Sequence, residues 1–351
     1  MLPVASRAHR RGRLPHRRRP PRAERVGTAH LGRPRPQALT VDTPGVVTLD
    51  RIRRDLREFA RLAEVGYDPA VVDPVLEELE PLWTTSVLGV RTTTHPPARR
   101  QVNVRLMNSG PGADPVTPLR KSGLLEFTGH PMEELLVEVP AAVPALYGVD
   151  VGVTTGVEKI WLMFPELLEV DRVLEFPGIP QAARDHAAHL NRYGGQIGIM
   201  ALDFASRTMN LYSRVFTPGT LTAAEIGTML ADLDFVAATD TELALLAQTF
   251  NLYRTFSWTS PRMRRICLPA RFDAETFPKH LDPVLDRFVS GAPYAGTGSR
   301  AFTFYTAYGP DDRYYKVQAE YTSARTAAFP GGAEPRVHSS GRESEPEPLR
   351  D

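Results

Sequence analysis

The sequence predicts an α+β fold, a closed ten-stranded antiparallel β-barrel surrounded by a ring of α-helices. Three observations point to it. Helical patterns followed by strand pairs recur five times at roughly 45–55-residue spacing, an ααββ structural repeat without matching sequence. The two strands of each pair lie close in the chain, which favours antiparallel hairpins. Ten strands in an open sheet would leave two unpaired edges, and closure removes both.

Each element has its own signal. Leu49–Ala63 carries apolar residues at helical spacing with Asp50 as the expected cap, and Asp73–Leu82 reads as a second, short helix. Strands follow near Ser86–Thr94 and Gln101–Met107, separated by His95-Pro96-Pro97. Pro131–Tyr147 reads as a helix, with strands near Val149–Val153 and Val157–Phe164 after it. Pro180–Tyr193 is a fourth helical stretch, followed by a hairpin from Gln196 to Phe216 that turns near Phe204–Ser206. Thr222–Leu233 and Thr241–Ala247 precede strands near Phe250–Ser257 and Arg264–Pro269. Phe277–Phe288 precedes strands near Ala301–Ala307 and Tyr314–Tyr321.

Of 351 residues, 42% are hydrophobic and 24% charged, a soluble globular profile. The net charge of +1 conceals an uneven distribution. Residues 1–40 hold eleven arginines against the single acid Glu24, with six prolines and no apolar periodicity. Residues 1–45 are therefore expected to be a disordered basic extension, and an over-extended start rather than a nucleic-acid arm, because no aromatics interleave the arginines. Residues 46–323 are the expected barrel domain, and 324–351 a disordered tail rich in Gly, Pro, Ser and Glu. No apolar run reaches membrane-spanning length, and the lone Cys267 excludes an internal disulfide, so a cytoplasmic monomer is expected.

In a barrel ringed by helices, the outward strand face is apolar and the inward face can be polar around a ligand. Val102, Val104 and Leu106 go out, leaving Asn103, Arg105 and Met107 inside. Ile160, Leu162 and Phe164 go out, leaving Lys159, Trp161 and Met163. The same parity places Thr208, Asn210 and Tyr212 inside, then Arg265 and Cys267, then Lys316, Gln318 and Glu320. Four hairpins thus bury a cation each: Arg105, Lys159, Arg265 and Lys316. Buried cations need anions, and Glu320 alone cannot neutralise four. The expected missing anion is a ligand, a di- or triphosphate. Trp161, Met163, Met107, Tyr212 and Tyr253 would supply an apolar, cation-tolerant wall beside it.

Five short segments stand out together: Gly123–Pro131 (GLLEFTGHP), Thr155–Pro165 (TGVEKIWLMFP), Met209-Asn210-Leu211-Tyr212, Arg264-Arg265-Ile266-Cys267 and Tyr314-Tyr315-Lys316. In order and spacing they resemble one known family, the bacterial ABBA-fold aromatic prenyltransferases. The resemblance spans about Leu49 to Thr322 and implies the same ten-stranded barrel. It implies that Lys159, Asn210, Tyr212, Tyr253, Arg265 and Lys316 hold an isoprenoid diphosphate, with Arg91 and Arg105 as the further basic residues of the metal-independent branch. Arg207 is a lesser candidate because its parity is outward. Asn103 stands where magnesium-dependent members carry aspartate, and an amide supplies no carboxylate, so no metal or other cofactor is expected.

The implied reaction is Friedel–Crafts transfer of a dimethylallyl or geranyl group to an electron-rich aromatic acceptor. Glu320 and Gln318 are candidates to bind an acceptor hydroxyl or take up the ring proton. The alternative is a barrel that binds an isoprenoid or other phosphorylated ligand without chemistry. A hydrolase is disfavoured, because the histidines form no HExxH spacing and no G-x-S-x-G occurs.

Overall fold

In the computed structural model, residues 47–83, 86–107, 110, 112–213 and 218–322 are described, and the expectations for the two chain ends lie outside them. Ten strands close into a barrel in the order β1-β10-β9-β8-β7-β6-β5-β4-β3-β2. They are β1 Val87–Thr93, β2 Val102–Met107, β3 Leu146–Gly152, β4 Gly156–Glu169, β5 Gln196–Asp203, β6 Thr208–Ser213, β7 Leu252–Ser257, β8 Arg265–Asp273, β9 Ala301–Tyr308 and β10 Arg313–Glu320. Every strand pairs antiparallel with its sequence neighbours, and β1 with β10 closes the ring through Arg91↔Gln318 and Thr93↔Lys316. Helices precede each hairpin, as the repeat requires.

Four helical stretches end or begin elsewhere than the periodicity predicts, and prolines explain three of them. The helix expected over Asp73–Leu82 begins at Pro69 behind the cap Asp68 and runs to Glu78, with a separate turn Glu80–Trp83 after it, and the first helix is capped by Thr48, not Asp50. The helix from Pro131 stops at Ala142, because Val143 precedes Pro144 and takes the extended conformation favoured before proline (φ −144°, ψ 145°). The helix expected over Phe277–Phe288 runs instead from Pro283 to Gly291. Proline suits a first turn and breaks an interior, and Asp282 caps it by accepting from the Val284 amide at 2.7 Å. The stretch 180–193 forms two short helices, Gln181–Asp185 and Ala187–Arg192, with His186 between them outside helical geometry (φ −101°, ψ 18°).

The main core lies between barrel and helices. Val102, Val104, Leu106, Ile160, Leu162, Phe164, Met209, Leu211, Ile266, Leu268, Val317 and Ala319 all join it, so the outward parity holds on every strand to which it was applied. Arg254 breaks the pattern: it occupies an outward position on β7, fully buried, and donates to Ser213 Oγ and the Tyr193 carbonyl. Burial pushes its guanidinium down, to about 9. Two smaller apolar clusters lie on the inner face: Trp161, Met163, Ile199 and Ala201, and Tyr253, Cys267, Tyr305 and Ala307.

Leu211 is fully buried on the outward face of β6. Leu211→Ala is expected to lower unfolding free energy by about 2–5 kcal/mol, read by denaturant titration, because transfer and cavity effects add.

Candidate active site

Strand parity and register together bring the inward polar residues to one interior. Arg91 sits opposite Asn103 on β2, Arg105 opposite Asp150 on β3, and Asp150 opposite Lys159 on β4. Lys159 in turn faces Asp203 on β5. On the other side Asn210, Thr255 and Arg265 are linked by successive pairings, as are Tyr212, Tyr253 and Cys267. Arg105, Lys159 and Lys316 are each at most 6% exposed. The cations therefore converge, away from bulk solvent.

The interior is not as short of acids as the strand alternation suggests. Asp150, completely buried, takes both Arg91 and Arg105 on its Oδ2 at 3.3 Å each, while its Oδ1 has no hydrogen-bond partner among the described residues. Asp203 pairs with Lys159 at 3.0 Å, and that cation holds the Asp203 carboxyl low against the opposing effect of burial. Glu158 accepts from Asn103 Nδ2 at 2.6 Å. Burial, reinforced by Asp150, pushes the Glu158 carboxyl up. Asp150 and Asp203 escape a reading that applies the alternation to β2, β4, β6, β8 and β10 alone, whereas Glu158, outward by the parity of β4, reaches the interior because the β3–β4 pairing bulges there, passing from Asp150↔Lys159 to Val151↔Val157. The same rule on β3 and β5 puts Asp150 and Asp203 inside, each between apolar outward neighbours.

The interior cations thus fall into two groups. Arg91, Arg105 and Lys159 have carboxylate partners, whereas Arg265 and Lys316 have none among the described residues. Arg265 donates to Tyr314 OH at 2.7 Å and to Thr255 Oγ1 at 3.2 Å. Thr255 donates its own hydroxyl proton to Asn210 Oδ1 at 2.6 Å. Lys316 donates to Tyr253 OH at 2.7 Å and lies 5.2 Å and 5.4 Å from the ring centres of Tyr253 and Tyr314. Burial pushes the Lys316 ammonium well below an ordinary lysine, and Arg265, Arg91 and Lys159 press the same way. Among the described residues these two cations are met by neutral oxygens and rings, a surplus of positive charge that an anion would offset.

An apolar wall adjoins it. Tyr212 stacks on Tyr253 at 4.5 Å between centroids and packs against both inner clusters, one of which contains Trp161 and Met163 and contacts Met107. Arg105 places its guanidinium 4.8 Å from the Trp161 ring centre. Beyond Arg105 a polar chain continues: Arg105 and Tyr305 donate to Gln318 Oε1 at 2.7 Å and 3.3 Å. Gln318 Nε2 and Thr303 Oγ1 then donate to Glu320 Oε1 at 3.0 Å and 3.1 Å. Burial raises the Glu320 carboxyl, which those two donors partly offset. Arg207 is elsewhere. It lies in the β5–β6 turn at φ 50° and pairs with Glu133, which belongs to the helix layer, at 3.4 Å.

The sequence profile of the aromatic prenyltransferase Orf2 family matches residues 47–331. This chain belongs to that family. Among its relatives in the family, a flaviolin linalyltransferase of Streptomyces virginiae is 28% identical over 286 residues, covering 79% of this chain and 93% of the relative. The 5,10-dihydrophenazine-1-carboxylate 9-dimethylallyltransferase of Streptomyces anulatus is 26% identical over 269 residues, covering 75% and 90%. The fold also matches solved prenyltransferase structures. Apo PriB superposes with a TM-score of 0.52 at 13% identity, over 79% of this chain and 98% of its own. The 5-dimethylallyl tryptophan synthase of Streptomyces coelicolor, solved with DMASPP and Trp, superposes at 0.51 and 16% identity, over 82% and 99%. The ten-stranded ABBA barrel read from the sequence is thus the fold this prenyltransferase has.

Removing Asp150 would leave Arg91 and Arg105 buried without their shared carboxylate. Asp150→Ala is expected to destabilise the fold by about 3–5 kcal/mol, measured by chemical denaturation at neutral pH.

Proposed function

We propose that this chain transfers a dimethylallyl or geranyl group from its diphosphate to an electron-rich aromatic acceptor, a phenol, naphthol or naphthoquinone, or phenazine, in secondary metabolism. One observation carries the reading: Arg265 and Lys316 lie inside a closed barrel without carboxylate partners among the described residues, beside an apolar wall that contains Trp161. A prenyl diphosphate has both matching ends. The names of the Streptomyces relatives, a linalyltransferase on flaviolin and a dimethylallyltransferase on a phenazine, support both the donor and the acceptor class.

In this reading Lys159, Arg265 and Lys316 bind the diphosphate with Arg91, Arg105, Asn210, Tyr212 and Tyr253. The allylic C–O bond breaks and its electron pair leaves on the diphosphate, whose growing charge the cations stabilise most in the transition state. Trp161, Met107 and Met163 shelter the allylic cation. The acceptor ring attacks with a π pair, forming the C–C bond, and then loses a proton to a base. Glu320, held by Gln318 and Thr303, is the base or the acceptor's hydroxyl partner. Asn103 lies in the prenyl and acceptor pocket, and its amide is engaged by Glu158 and Arg91 (2.6 Å and 3.3 Å), so this position offers no carboxylate for magnesium. The reading is of a metal-independent, cytoplasmic, monomeric enzyme of small-molecule substrates.

Three outcomes are expected. Lys159→Ala and Arg265→Ala each lower kcat/KM by about 100-fold or more in an assay of both donors against phenol, naphthol and phenazine acceptors; near wild-type turnover in both would overturn the site. Turnover persists in EDTA, and abolition by EDTA with recovery on added magnesium would overturn metal independence. Donor binding is expected to take up protons. Lys316 starts depressed, and an anion raises it, so affinity falls as pH rises between its free and bound values. Calorimetric titration in buffers of different ionisation enthalpy reads that uptake, and Lys316→Met should remove it.

A further inference from the structure

Three of the inward strand positions around the arginine network are glycines, and each lies under a side chain that folds across it. Gly89 on β1 lies under Gln318, Gly152 on β3 under Glu158 and Thr155, and Gly148 on β3 under Trp161. The third contact is the one that bears on the apolar wall. Gly148 and Trp161 are direct cross-strand partners in β3 and β4. A Cβ at 148 would lie 2.6 Å from Trp161 Cε3, a separation real Cβ atoms do not show, and 3.5 Å from Trp161 Cβ. The Cε3 edge of the indole comes this close to the strand only because nothing projects from position 148. The backbone is not the reason for the glycine, since position 148 does not take the left-handed φ that marks glycines such as Gly156.

Trp161 is 3% exposed, packs with Met163, Ile199 and Ala201, and carries the Arg105 guanidinium 4.8 Å from its ring centre. Its tilt therefore fixes two things together: how far the apolar wall recedes and how Arg105 is held. We propose that Gly148 is the residue that sets the depth of the apolar wall, by letting the Trp161 indole approach β3 closely, and that it thereby determines the length of prenyl chain accepted. The length assignment rests on the donor reading above. A side chain at 148 swings the indole inward, shortening the space for a second isoprene unit before it obstructs the first. One methylene's worth of crowding in an apolar pocket is enough to change discrimination by about tenfold or more.

Gly148→Ala, Trp161→Tyr and the double variant test this in the full chain. A phenol ring has no atom in the place of indole Cε3, so tyrosine relieves the clash; the Leu106 carbonyl, 3.0 Å from where the alanine methyl would sit, is a tight contact that remains in both backgrounds. Without any ligand, Gly148→Ala is expected to lower the melting temperature, and Trp161→Tyr to restore most of the loss. Failure of the double variant to recover, in melting temperature or in soluble yield, overturns the packing claim. With ligands, Gly148→Ala is expected to lower the geranyl to dimethylallyl ratio of kcat/KM by about tenfold, and the double variant to return it toward wild type. A wild-type protein that turns over both donors while Gly148→Ala leaves their ratio unchanged overturns the length claim. A wild type inactive on both overturns the donor reading and the length claim with it, while the melting series still decides the packing of Gly148 against Trp161.

Discussion

Closing an antiparallel sheet on itself turns alternate side chains of all ten strands away from water, and in this chain many of those side chains are charged. Each cation placed there must find compensation inside the ring, because desolvation is too costly to leave unanswered. The barrel answers in two ways. On the β1–β5 side carboxylates do it, Asp150 for Arg91 and Arg105 and Asp203 for Lys159. On the β7, β8 and β10 side Arg265 and Lys316 receive hydroxyls and aromatic faces instead. The interior is therefore electrically lopsided, and the lopsidedness defines where an anion is favoured.

The compensated half is not idle in such a design. Asp150 draws two guanidinium groups to a single oxygen and fixes them across three strands. Arg105, so held, reaches the Gln318 amide and lies against Trp161, which joins the charged network to the apolar wall and to the Glu320 end of the barrel. Preorganised charges of this kind act most strongly on a transition state that develops charge at a fixed place, as the departure of diphosphate does. Tyr212, stacked on Tyr253 and touching both inner clusters, stands at the seam between the two regions.

The surroundings of Asn103 follow the same logic of compensation. The amide takes the Glu158 carboxylate on one side and Arg91 on the other, so a neutral side chain is locked into the ring by two charged neighbours. Glycines at 89, 148 and 152 leave room for Gln318, Trp161, and Glu158 with Thr155, to approach the strands more closely than a Cβ would allow. Small residues on the inner face thus shape the interior as much as large ones do, through close approach and not through contact with a ligand.

The alternation of apolar and polar residues made the strands, their number and their outward face legible, because side-chain parity along a strand is a local property of the chain. It identified Arg105, Lys159, Arg265 and Lys316 as inward without knowledge of any contact. Proline position would also have placed the helix start at Pro283, but not the end at Ala142, because Pro140 lies inside that helix. Pairing was beyond its reach. That Asp150 meets two arginines from β1 and β2, that Asp203 neutralises Lys159, and that Gly148 lies under Trp161 depend on register and on ring closure, which bring together residues far apart in the chain. Away from the β3–β4 bulge that turns Glu158 inward, the sequence alone decided which side chains face inward; only the closed tertiary structure decided which of them meet, because cross-strand distances are set by the staggered pairing of the whole sheet and by no single strand.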